Sequence, residues 1–199
     1  MKVNTIVLVG GAGRRLGGVD KAGLQLGGLS LLERALKAIQ PVAESVVVVG
    51  ETAERSRLPD SLSEAVTWTQ EWPAGGGPVA GVIAGLSALH VGPEWTLLLA
   101  VDQPGMEAVL PALVAAAEQA EADVDAIAPD DESGRTQWLL GAYRTAVLRE
   151  ALSQAGTGHN QALRALLKPL RMQQVAVDPD DLRDVDEWVD VQAWRERLS

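Results

Sequence analysis

The chain has 199 residues, 47% hydrophobic and 22% charged, which suits one domain, 1–199, with a sizeable core; its apolar runs are too short for a membrane protein. With 27 Asp and Glu against 17 Lys and Arg the net charge is -10, which excludes a surface built for nucleic acid or an anionic membrane but admits a small anion in one pocket. There is no cysteine, hence no disulfide and no thiolate chemistry, and a cytoplasmic protein is expected.

Residues 3–9 read as an apolar strand, and the run is too short and too soon broken by glycine for a signal peptide or a membrane span. It leads into VLVGGAGRRLGGVDK, residues 7–21. Glycines let the backbone turn sharply and approach a ligand without a Cβ in the way. Arg14, Arg15 and Lys21 set three cations within eight positions of an acidic chain. Amides freed at the end of a strand add donors, so the stretch reads as a phosphate cradle. It is not a P-loop, because Gly18 is followed by Val19, Lys21 falls two places late, and Ala22 stands where a hydroxyl is required. Nor is it a dinucleotide fingerprint: with Gly11 and Gly13 as the first two glycines, the third falls on Leu16.

Ser30 is placed to cap a helix whose apolar positions Leu32, Ala35, Leu36 and Ile39 recur at helical spacing, with Glu33 three residues after the cap and Pro41 closing it. The valines of residues 46–49 form the next strand. Continuous β-branched runs without alternation belong to strands covered on both faces, so the unit predicts a mostly parallel, Rossmann-like sheet in a three-layer α/β/α sandwich. The pattern continues with a strand at 66–69, a loop at 71–77, a helix at 78–89 with Pro78 at its first position, a strand at 95–101 and a helix at 107–120. Residues 126–128 are strand and 138–143 extended; 144–155 and 161–167 are helical, 171–177 an edge strand, and 187–198 a final helix.

In open α/β sheets ligands sit beyond the carboxyl ends of strands, and the informative residues cluster there. Asp102 ends the strand WTLLLAV, where a rigidly held carboxylate suits Mg²⁺; capping of the next helix is the other reading. Glu71 precedes Gly77 and Pro78 in a glycine-rich loop, and a solvated loop acid is its other reading. His90 and His159 lack a second ligand at zinc spacing, and no Ser-His-Asp or Cys-His arrangement is present. Arg135, in the acidic loop 130–137, and His159 are candidates to meet an acceptor phosphate, with plain surface exposure as the alternative.

Gly10, Gly11, Arg15, Leu16, Gly17, Asp20 and Lys21 fall in register with the N-terminal signature of the molybdenum cofactor guanylyltransferases, which the chain therefore resembles. Asp102-Gln103-Pro104 is similar to that family's D-x-P, and Gly77-Pro78-Val79-Ala80-Gly81 to the element that lies against the nucleotide. Asp184-Val185-Asp186 resembles the D-[IV]-D of related transferases; only one of the two aspartates is expected to point inward, and Asp186 is taken as that one.

The resemblance implies the nucleotide-diphospho-sugar transferase type of fold and transfer of GMP from GTP to molybdopterin, with release of pyrophosphate. It implies Arg15, Lys21 and Asp102 as catalytic residues, and Leu8, Gly10, Gly11, Gly13, Arg15, Lys21, Glu71, Gly77 and Pro78 as nucleotide-binding ones. Mg²⁺ would be held by Asp102 and Asp186. Glu71 would read guanine, since a carboxylate accepts from N1–H and the exocyclic amine together, a donor pair that neither cytosine nor adenine presents. Cofactor-delivery proteins are expected partners. Transfer of CMP, another small phosphorylated acceptor, and a nucleotide-binding homologue without chemistry remain as alternatives.

Overall fold

The computed structural model describes residues 1–10, 16–90 and 92–198. β1 (Val3–Leu8) is buried along its whole length, and a short hairpin of β2 (Gln25–Leu26) and β3 (Leu29–Ser30) leads into α1 (Leu31–Ile39). The Ser30 hydroxyl accepts from the Glu33 amide at 3.1 Å, a cap worth about 1 kcal/mol. Next come β4 (Ala43–Val49), the one-turn α2 (Asp60–Ser63), β5 (Val66–Thr69), α3 (Pro78–Ala88), β6 (Trp95–Ala100) and α4 (Met106–Gln119). The C-terminal part supplies β7 (Ala126–Ala128), β8 (Leu140–Arg144), α5 (Thr145–Leu152), α6 (Leu163–Leu167), β9 (Met172–Gln174) and α7 (Trp188–Arg197).

Seven strands form one sheet in the order β5-β4-β1-β6-β8-β7-β9, parallel except that β8 runs against both β6 and β7. Side chains of β1 alternate between two cores. Val3 and Val7 join α1, α4 and α7 on one face, whereas Ile6 and Leu8 join α3, α5 and α6 on the other. The sandwich is thus the expected one. Its boundaries shift where pairing decides them: β4 begins at Ala43 because Val3 already pairs there, and β9 shrinks to the three residues that meet β7.

Strand order also fixes where a ligand fits. From β1 the chain moves outward through β4 to β5 and then returns to β6 on the other side of β1. The carboxyl ends of β1 and β6 therefore flank the point where the order reverses, and a crevice opens there. Among the described residues, no helix is long and apolar enough to cross a membrane.

Candidate active site

Lys21 begins a short 3-10 helix, Lys21–Gly23, just beyond the glycine stretch. Asp20, preceding it, is a latch. One carboxylate oxygen accepts from the Ala22 amide at 3.2 Å; the other accepts from the Thr52 hydroxyl at 2.7 Å and the Ala53 amide at 2.9 Å, tying the loop to the turn after β4. Lys21 is 8% exposed, and its Nζ donates to Asp102 Oδ2 at 3.1 Å and Asp186 Oδ1 at 2.5 Å. Burial alone would push this ammonium down, but the Asp186 hydrogen bond and the Asp102 charge outweigh it and hold the group above the ordinary lysine value. The lysine stays charged.

Asp102 does not cap α4, which starts at Met106 behind Gly105 with no side-chain cap. Its carboxylate points instead at Lys21, and its backbone oxygen accepts from the Val185 amide at 2.8 Å. That contact belongs to a strap, residues 178–187, drawn across the tip of β6. Asp190 Oδ2 receives the amides of Asp186 at 3.0 Å and Glu187 at 2.7 Å, Trp194 Nε1 donates to Arg183 O at 3.2 Å, and Arg197 bonds Asp181 at 2.6 Å. The strap passes so close to Gly105 that a Cβ there would stand 2.3 Å from Asp181 O. Helix α7 thus holds the segment that delivers Asp186.

One expectation is corrected here. Asp184 and Asp186 both face the site, on either side of a fully buried Val185, because residues two apart on an extended segment share a side. Burial first, then the charges of Asp186 and Asp102, push the Asp184 carboxyl above its ordinary value of 3.8. An acid raised in the folded state binds protons there more readily than in the unfolded chain, so this group costs stability increasingly as pH rises through that interval. Asp184→Asn should therefore stabilise the protein slightly at pH 7 in metal-free buffer, by less than about 1 kcal/mol given the solvent screening, with the gain vanishing at pH 3. Thermal melts at the two pH values check this.

Two cavities meet at Asp102. The first, of about 490 Å³, lies over the crevice and is lined by Leu8, Gly10 and Lys21 from one side and Glu71, Gly77 and Pro78 from the other. Glu71 is half-buried rather than free in solvent, and its carboxylate accepts from the Gly75 amide at 3.0 Å. Gly77 and Pro78 open the 11-residue α3, whose N-terminus adds a favourable field for an anion. The second cavity, of about 690 Å³, is lined by Arg135, Arg183 and Asp184, and the two share Ala100, Asp102 and Leu139.

Gly11, Gly13 and Arg15, together with Arg14, lie outside the described residues. Arg135 lines the second cavity, whereas His159 sits by Gly76 on the side of the first, and His90 is exposed beyond α3. Sequence reasoning missed Arg183, which carries no local signal. It also missed Asp190, although Glu187 with Asp190 three residues on forms a capping box that such reasoning could have found. Among the described residues no three potential ligands form a self-sufficient metal centre.

A family model described as "MobA-like NTP transferase domain" matches residues 5–176. A protein of Bacillus cytotoxicus named "Probable molybdenum cofactor guanylyltransferase" is 28% identical over 173 residues, 87% of this chain and 83% of the relative. One of the same name from Chloroflexus aggregans is 37% identical over 153 residues, 74% of this chain and 68% of its own length. The crystal structure of molybdopterin-guanine dinucleotide biosynthesis protein A from Archaeoglobus fulgidus superposes with a TM-score of 0.68 over 98% of both chains at 24% identity, a likeness of fold.

Proposed function

This chain belongs to the MobA-like NTP transferase family, and on that premise we propose that it moves GMP from GTP to the phosphate of molybdopterin, releasing pyrophosphate. The meeting of two cavities at Asp102 carries the reading, because a group transfer needs donor and acceptor on opposite sides of one charged point. GTP occupies the smaller cavity, with its base toward Glu71 and its phosphates toward Lys21 and the start of α3. The acceptor lies in the larger one, where Arg135 and Arg183 offer cations to an anionic ligand.

An acceptor phosphate oxygen attacks the α-phosphorus, a new oxygen–phosphorus bond forms, and the bond to the bridging oxygen breaks as pyrophosphate leaves. Lys21 stabilises the charge that builds on the phosphates, and positioning does most of the remaining work. The donor set fits Mg²⁺. Asp102 and Asp186 are hard oxygen ligands from distant parts of the chain, and both already reach one cationic point, the Lys21 ammonium. These two carboxylates would hold the ion, which when bound would supply Lewis-acid neutralisation of the phosphate charge. The cytoplasm is the proposed site of action.

Pyrophosphate release from GTP, CTP and ATP, each with MgCl₂ and molybdopterin, tests the assignment. GTP should be preferred by ~10²-fold or more in kcat/KM, and Glu71→Gln should erode the preference, because an amide cannot accept both guanine donors. Equal use of CTP would turn the reading toward a cytidylyltransferase. Release no greater than with Asp102→Ala would leave a nucleotide-binding protein without chemistry.

A further inference from the structure

The loop between α5 and α6 carries the sequence GTGHNQ, residues 156–161, which the reaction leaves without a role. It is braced internally: the Gly158 amide donates to Ala155 O at 2.9 Å, Gln161 N to Gly158 O at 3.2 Å, and Gln161 Nε2 to Ala155 O at 2.9 Å. Its outer side is pressed onto the first turn of α3. Gly158 is buried at φ +70°, and a Cβ there would stand 2.7 Å from Val79 Cγ1 and 2.8 Å from the Ala80 amide. Asn160, at φ 55°, is the one non-glycine residue with positive φ among those described. That conformation costs about 1–2 kcal/mol outside glycine, less for asparagine, and it aims the Asn160 amide at Gly76 O, 2.9 Å away.

Gly76 lies between Gly75, whose amide holds the Glu71 carboxylate, and Gly77 and Pro78, which line the smaller cavity. The loop touches neither Lys21, Asp102 nor the strap through any of these bonds. Its one visible effect is to support, from behind, the backbone that presents Glu71 and the start of α3. We infer that residues 156–161 are a positioning element for nucleotide recognition, setting the 71–78 loop at the height at which Glu71 meets the base. This rests on the smaller cavity being the nucleotide site.

The test uses the full chain and steady-state kinetics with GTP and ITP, which lacks the exocyclic amine. Gly158→Ala should raise KM for GTP ~10-fold or more and narrow the GTP-to-ITP preference, while kcat at saturating GTP and KM for the acceptor stay within about twofold. Should that variant not fold, Asn160→Val carries the test, since a β-branched residue resists positive φ and should show the same split. Asn160→Gly keeps both the amide and the backbone angle and should restore wild-type KM. Parallel binding of mant-GTP separates this inference from the one beneath it. If wild type binds mant-GTP and the folded variants bind it equally well, the positioning role is overturned and the nucleotide site stands. If wild type does not bind it, the nucleotide-site reading falls and takes this inference with it.

Discussion

Asp102→Ala is expected to lower GMP transfer by ~10²- to 10⁴-fold, since the charge stabilisation anchored by a metal carboxylate amounts to several kcal/mol and each 1.4 kcal/mol is tenfold. The carboxylate stands where both cavities meet, so its loss affects donor and acceptor at once. Folding should suffer little. Lys21 keeps Asp186, and the link from the strap to β6 runs through the backbone oxygen of residue 102, which alanine retains. Asp102→Asn preserves shape but not charge and should be nearly as slow. Pyrophosphate release within about threefold of wild type for either variant would remove the aspartate from the chemistry.

Lys21→Ala should cost ~10²- to 10³-fold in kcat, the scale of losing one preorganised group aimed at developing charge. Unlike Asp102→Ala it should also destabilise the protein. The substitution leaves Asp102 and Asp186 facing one another without the ammonium that joins them. About 1–3 kcal/mol is expected, below the range for a fully enclosed pair because both carboxylates are partly open to solvent. The folded-state pKa of Lys21 is raised, so its stabilisation is complete below the ordinary lysine value of 10.5 and is lost only as pH rises through the higher folded value. Melting curves of wild type and variant should accordingly differ at pH 7 and converge at strongly alkaline pH, where the ammonium is lost. Identical curves at pH 7 would show that the ion pairs contribute nothing.

Much of the framework was legible in local pattern. The apolar run of β1, the valines of β4 and the Ser30-capped helix between them obey rules that act within one or two turns of chain. β8 was harder: an extended segment is recognisable, but its direction depends on the partner it meets, and it meets β6 antiparallel. The one-turn α2 and the β2–β3 hairpin lie below the length at which a period can be counted. At the site, Asp102 was visible as an acid ending a buried strand, and its company with Lys21 and Asp186 followed only from the family resemblance; the direct bonds of the Lys21 ammonium to both carboxylates were not visible. Lys21 and Asp186 are 165 positions apart and nothing local relates them. Asp184 was set aside through a mistaken alternation rule, although side chains two apart on a strand lie together.

From the residues alone come the glycine turn with its cations, the layered α/β plan and the family signature, since each depends on backbone preference or hydrophobic period along a continuous stretch. Tertiary structure alone decided that β1 and β6 are neighbours, that a strap held by α7 brings Asp186 to the tip of β6, and that Asp102 separates two cavities. Those facts follow from strand order and long-range packing, where the free energy lies in contacts between segments and not within them.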